Sequence, residues 1–157
     1  MRRSLGDGLE LDDDPERIDV DAVHAFISKE SYWGQGRPRE KVVRTITGSA
    51  RVVGLYDQGR QVGFARAVSD RATIAYLADV YVLRPYRGRG LGLELVREVI
   101  EGGGEGGLSK IHWLLHTADA QGLYERLGFL EGPQRYPLME KARAGGLPSR
   151  PENASSQ

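Results

Sequence analysis

The sequence predicts an α+β fold, a mixed and mostly antiparallel sheet with helices on its faces. Three observations carry that expectation. Two apolar, β-branched runs, Arg51–Tyr56 and Gln61–Val68, flank Asp57-Gln58-Gly59-Arg60, which reads as a hairpin turn. A longer run, Thr73–Leu83, follows a turn at Ser69-Asp70-Arg71, and its apolar content makes it the central strand. Beyond it a glycine turn, an amphipathic helix, another strand and a short helix follow in order, so hairpins precede a βαβαβ section. A doubly wound fold would alternate throughout.

Each element has a local reason. Residues 1–8 read as a flexible N-terminus, 9–141 as one folded domain and 142–157 as a disordered tail with almost nothing to bury. The stretch Glu10–Asp21 holds seven carboxylates and reads as a solvated leading segment. Asp21 is a cap for a helix with Val23, Phe26 and Ile27 on one face. A glycine-broken loop, Ser31 to Pro38, carries Tyr32 and Trp33, and a second helix runs from Pro38 to Ile46 with proline suited to its first turn. After the glycine turn, Leu91, Leu95 and Val99 recur at the i, i+4 spacing of one buried face. Gly102–Gly107 is a connector, Lys110–His116 a strand, and Asp119–Leu127 a short helix closed by Gly128. Phe129-Leu130 and Tyr136–Met139 are the last expected strands.

Composition removes several functions. Lys+Arg and Asp+Glu are both 22 of 157 residues, so no net field draws nucleic acid or acidic lipid. No cysteine is present, which excludes disulfides, thiolate metal sites and a thiol nucleophile. His24, His112 and His116 show no regular zinc spacing, and no metal is expected. Met1–Gly8 lacks the apolar core of a signal peptide, and no apolar run reaches membrane-spanning length. The expectation is a cytoplasmic protein without a membrane or nucleic-acid partner.

The chemistry starts at Val80-Tyr81-Val82-Leu83-Arg84-Pro85-Tyr86-Arg87-Gly88-Arg89-Gly90-Leu91-Gly92. A strand enters a turn of alternating glycine and arginine, and a helix begins at once. Glycines let successive N–H groups converge, with the positive end of a helix dipole behind them, so the turn suits a pyrophosphate. A dinucleotide fold would want Gly-x-Gly-x-x-Gly after its first strand, and this turn lies mid-chain.

Arg87-x-x-Gly90-x-Gly92 and, about thirty residues on, Leu123-Tyr124-Glu125-Arg126-Leu127-Gly128-Phe129 together resemble the GNAT superfamily of acetyl-coenzyme-A-dependent N-acetyltransferases, from about Asp21 to Glu140. The resemblance implies a sheet whose central strand splays from its neighbour, with acetyl-CoA as co-substrate. It implies that Val80, Tyr81 and Val82 face the pantetheine arm and that the amides of Gly88, Arg89, Gly90, Leu91, Gly92 and Leu93, with Arg87, hold the pyrophosphate. Tyr124 matches the family's general acid. Thr117 stands where the family commonly has asparagine, and it is carried as a cofactor contact.

Tyr76-Leu77-Ala78-Asp79-Val80-Tyr81-Val82 resembles a strand of the diamine acetyltransferases, with Ala78 replacing their glutamate. Asp79 is therefore the expected base and a substrate contact. A carboxylate in an apolar strand needs a wet cleft or a partner. Tyr32 and Trp33 are expected to wall the acceptor pocket, the indole facing an ammonium group. Either His112 or His116 offers a proton relay. The resulting expectation is direct acetyl transfer to a primary amine, on a small molecule rather than a protein. The alternative is an acyl-CoA sensor without turnover. Dimers are common in such families, so a homodimer is also carried.

Overall fold

A computed structural model describes residues 1–104, 107–131, 139 and 141. Among these residues, six strands form one sheet in sequential order: β1 (Arg2–Gly6), β2 (Leu9–Asp12), β3 (Arg51–Asp57), β4 (Arg60–Ser69), β5 (Ile74–Val82) and β6 (His112–Leu114). All neighbours are antiparallel except β5 and β6. The helices are α1 (Val20–Lys29), α2 (Arg39–Thr47), α3 (Leu91–Glu101) and α4 (Gln121–Glu125). This is the α+β architecture that the hairpin-then-βαβ order predicts.

Each sheet face has its own core. Leu91, Leu95, Val96 and Val99 of α3 pack with Tyr124 of α4 on Leu11, Val53, Leu55, Val62 and Leu77. Val23, Phe26 and Ile27 of α1 and Val42 and Ile46 of α2 cover Val52, Phe64 and Tyr81 on the other. The helical spacings in the sequence point to these same faces.

The central strand is bulged. Phe64 faces Tyr81 and Arg66 faces Ala78, so Asp79 and Val80 together span the single residue Ala65. Asp79 takes a positive φ of 51° to do so, a conformation that Asp tolerates better than most residues. The bulge reverses which face each side chain meets. Leu77 joins the α3 core before it, and Val80 and Val82 join that core after it, leaving Tyr81 to the α1 side. β6 pairs only with Ile74, Ala75 and Tyr76. From Leu77 onward β6 leaves that edge of β5 open, and the two strands part.

Four expectations need correction. Residues 1–8 are not all unstructured, because Arg2–Gly6 pairs with β2 and Leu5 packs on the core. Arg3 also reaches Glu98 at 2.7 Å and Glu94 at 3.1 Å on α3. Asp7-Gly8, with φ of 51° and 80°, closes this hairpin. Asp19, not Asp21, caps α1: its carboxylate accepts from Ala22 N at 2.9 Å, the third residue on, whereas Asp21 meets Arg39 at 2.6 Å. The strand expected over 110–116 shortens to three residues as it leaves β5. Phe129 and Leu130 form no strand. Residues 136–138 of the other late strand, and 142–157, lie outside the described residues.

Candidate active site

The glycine turn is built as an anion cradle. Gly88 and Gly90 have φ of 75° and 76°, and a Cβ at either would meet nothing within 4 Å. Backbone conformation, not crowding, therefore demands glycine here. Gly90 begins α3 with no side-chain cap. Leu93 N and Glu94 N bond to Gly90 O at 3.1 and 3.2 Å. Among the described residues, the amides of Gly88, Arg89, Gly90, Leu91 and Gly92 have no acceptor. Five N–H groups at a helix N-terminus fit a pyrophosphate. Leu93 lines the same groove, but its amide is taken by Gly90.

The arginines divide. Arg87 Nε donates to Val82 O at 2.8 Å, tying the turn back to β5, and Arg87 lines the groove. Arg89 lies 5.9 Å from the Tyr86 ring centre and is not among the groove-lining residues. Val80, Tyr81 and Val82 do line it. The Tyr81 ring itself is buried, stacked on Phe26 at 4.0 Å, so its contribution to the groove is main-chain.

Two concavities meet at the parting of β5 and β6. The groove, about 580 Å³, runs from the glycine turn along β5. A chamber of about 490 Å³ lies beyond it and includes Tyr76, Asp79, His116 and Thr117. Tyr32, Trp33, Val80, Asp119, Ala120 and Tyr124 line both. Tyr124 is thus at the junction, where a thioester reached from one side would meet an acceptor from the other.

Tyr124 is positioned by the element the sequence singled out. Gly128 N closes on Glu125 O at 3.0 Å with φ 86°, and Phe129 N returns to Tyr124 O at 3.1 Å. The turn brings the Phe129 ring edge-on to Tyr124 at 5.9 Å. Burial, helped by the charge of Asp119, pushes the Tyr124 hydroxyl up to about 12. It stays protonated and able to donate at any physiological pH. Thr117 faces the chamber rather than the groove. Its hydroxyl accepts from Ala120 N at 3.1 Å, in the turn that precedes α4.

Asp79 is not arranged as a base. Its Oδ2 accepts from Arg66 Nε at 2.7 Å and Arg37 Nη1 at 2.8 Å, and its Oδ1 from Trp33 Nε1 at 3.2 Å. Burial alone would raise its pKa. The Arg66 charge and the hydrogen bonds from both arginines outweigh burial and hold the carboxyl below its ordinary range. An acid so held gives up its affinity for a proton. Its physical role is to fix Trp33, Arg37 and Arg66 around one floor.

The loop before α2 reaches this floor because it folds tightly on α1. Ser31 Oγ bonds Ile27 O at 2.7 Å and accepts from Gly34 N at 3.1 Å. A Cβ on Gly34 would stand 2.4 Å from Ile27 Cγ2, so the loop approaches as close as glycine permits. Tyr32 Oη accepts from Ala118 N at 3.2 Å, joining this loop to the segment between β6 and α4. Tyr32 and Trp33 both line the chamber and the groove. Trp33 donates to a carboxylate and meets Tyr32 edge-on at 5.0 Å.

The histidines separate. His116 Nδ1 lies 2.7 Å from Tyr76 Oη and its ring lines the chamber. His112 heads β6 and lines a different cleft with Trp113 and Phe129. Sequence reasoning missed Arg66, Tyr76 and Asp119, and left Arg37 unassigned. An arginine within an otherwise apolar strand was the signal for Arg66, since it too needs a buried partner. Among the described residues no group of three or more His, Asp or Glu is arranged to hold a metal ion, and no helix is long and apolar enough to cross a membrane.

Free main-chain donors at the N-terminus of α3 open into a groove beside the splayed central strand, and Tyr124 lines that groove. The model of the acetyltransferase (GNAT) family matches residues 20–129, and the chain belongs to that family. A GNAT-family protein from Xanthomonas campestris pv. campestris has a solved structure that is 37% identical to it. The TM-score is 0.77 over 87% of this chain and 94% of that one. Among curated relatives, an acetyltransferase-like protein of Gibberella zeae is 29% identical, covering 57% of this chain and 62% of its own length. The uncharacterized N-acetyltransferase ycf52 of Pyropia yezoensis is 31% identical, covering 62% and 58%. The chain thus spans about three fifths of the curated relatives it matches.

Proposed function

We propose that this N-acetyltransferase uses acetyl-CoA and passes the acetyl group directly to a primary amine on a small molecule. The observation that carries this reading is the row of five unpartnered amides, Gly88 to Gly92, of which all but Arg89 belong to residues lining the same groove as Tyr124, which also walls the chamber. Acetyl-CoA supplies the thioester that the amine attacks. The cradle residues would hold its pyrophosphate, with the open edge of β5 beside its pantetheine arm.

The chain's own groups divide the remaining work. Holding two reactants in line supplies much of the rate. Tyr124 Oη keeps its proton to about pH 12, while an ordinary thiol releases one near 8.5. Its role is therefore a hydrogen bond to the departing sulfur, more than a completed proton transfer. With Asp79 held by two arginines, the amine's proton leaves toward chamber water or His116, whose ring lines the chamber. With no cysteine in the chain, a thiol-bound acyl-enzyme is excluded.

Calorimetric titration with CoA tests the cradle, and thiol release from acetyl-CoA across an amine panel tests turnover. Intersecting initial-velocity lines are expected with an accepted amine. Parallel lines would rule out direct transfer, and no measurable CoA affinity at low salt would remove the reading altogether.

A further inference from the structure

We propose that the acceptor is an amine that also carries an anionic group, a carboxylate or phosphate, which docks on Arg37 and Arg66 at the chamber floor. This inference rests on the acetyl-transfer reading and narrows its substrate class.

Both signs of charge line the chamber. Arg37 and Arg66 both line it, and each gives Asp79 one nitrogen. Arg66 Nη1 makes one further, long contact to Ser49 Oγ at 3.4 Å. Among the described residues, the Nη2 groups of both arginines have no protein acceptor, yet neither is sealed from solvent. Two guanidinium groups against one carboxylate leave the floor with one uncompensated positive charge. A guanidinium presents paired donors that match a carboxylate or phosphate.

Asp119 carries the other sign. It lines the chamber and the groove together with Tyr124, close enough for its charge to act on that hydroxyl, and is the one carboxylate among the described residues that lines both. An ammonium group is drawn to Asp119 and an anion to the floor. Two poles orient the acceptor with its nitrogen toward the thioester. They also select against polyamines, which would place a second cation on the arginines. Asp79 makes the arrangement stiff: its three hydrogen bonds hold Arg37, Arg66 and Trp33 before any ligand arrives.

The test is a set of matched acceptors assayed by thiol release from acetyl-CoA, with CoA binding measured separately on the same protein. The pairs are amino acids against their carboxamides, O-phosphoethanolamine against ethanolamine, and spermidine as the polyamine arm. Acidic members are expected to exceed their neutral partners at least tenfold in kcat/KM, mainly through KM. The arm that responds identifies carboxylate or phosphate. Arg37→Gln should collapse that ratio toward one while CoA affinity holds. Arg37→Lys, which restores the charge, should recover part of it and covers the case in which the glutamine variant does not fold. A protein that binds CoA but prefers the neutral amines or spermidine, or acetylates no acidic member, overturns the proposal and leaves acetyl transfer standing. Absent CoA binding, the underlying reading fails instead.

Discussion

Arg66 Nε donates to Asp79 Oδ2 at 2.7 Å from the strand opposite, at the point where the central strand bulges. Without the bulge, Asp79 would take its turn in the alternation that sends Leu77 into the α3 core, a place where a carboxylate is costly. The extra residue re-aims it toward two arginines and an indole. One backbone irregularity thus places the carboxylate that organises the chamber floor.

Asp79→Asn isolates that charge, because asparagine also tolerates positive φ and the backbone is unperturbed. Removing one partner of a buried ion pair costs about 3 kcal/mol, taken at the low end since both arginines reach the chamber. For a domain of this size that is roughly 6 °C or more in Tm. The native carboxyl titrates below its unfolded value, so its stabilisation is present above the unfolded pKa and is lost as pH falls through the folded one. The variant should therefore show a lower Tm at pH 7 and a flatter decline below pH 4. An unchanged Tm would mean the cluster contributes nothing to stability. The pH dependence of kcat on its acid side should be the same in both proteins. If that limb vanishes in the variant, Asp79 is the base after all.

Tyr124→Phe keeps the ring that packs against Phe129 and removes only the hydroxyl. Proton donors of this kind contribute on the order of 10²-fold or more to kcat. CoA affinity should stay within about threefold while kcat falls by roughly that factor. Equal turnover in both proteins would assign the hydrogen bond to the departing sulfur to another group and reduce Tyr124 to a wall.

The fold and the glycine turn were readable because they depend on local order. Glycine positions, helix spacing and the Leu-Tyr-x-x-x-Gly-Phe element are contiguous, and the five cradle amides need only one turn to form. The acceptor side was not, because Trp33, Arg37, Arg66 and Asp79 meet across 46 residues of sequence. Asp79 read as a base because its strand was known and its partners were not. The N-terminal strand was missed for a different reason: Asp7-Gly8 is a hairpin signal, but the flanking residues are short and charged, and β2 and α3 supply the surface that makes Arg2–Gly6 a strand.

Gly90→Ala should damage CoA binding through the backbone alone. Its φ of 76° costs an L residue about 1–2 kcal/mol, and its Cβ would clash with nothing. Relaxing toward negative φ would turn amides out of the cradle. Gly59→Ala is the control, with φ 84°, equally open space and a place in the β3–β4 turn, itself outside the groove lining. Both should lose comparable stability by thermal denaturation, but only Gly90→Ala should lose CoA affinity, by about tenfold. Equal affinities in the two variants would remove the cradle.

Alkaline pH should unfold this protein through its buried phenols. Tyr56 donates to Arg17 O at 3.0 Å beneath the Arg17 guanidinium, and burial, with nearby carboxylates, pushes its hydroxyl up to about 12. The group binds its proton more tightly folded than unfolded, where a tyrosine titrates near 10. Its stabilisation is therefore complete below about pH 10 and is lost as pH rises toward 12. One pH unit into that window removes about 1.4 kcal/mol, or roughly 3–5 °C in Tm. Tyr56→Phe should be slightly less stable at pH 8, having lost a hydrogen bond, yet should drop less between pH 8 and pH 11. Part of the decline will persist, because Tyr124 is pushed up to about 12 by burial as well. Parallel Tm profiles for the two proteins over that range would show that Tyr56 ionises as freely in the folded chain as in the unfolded one.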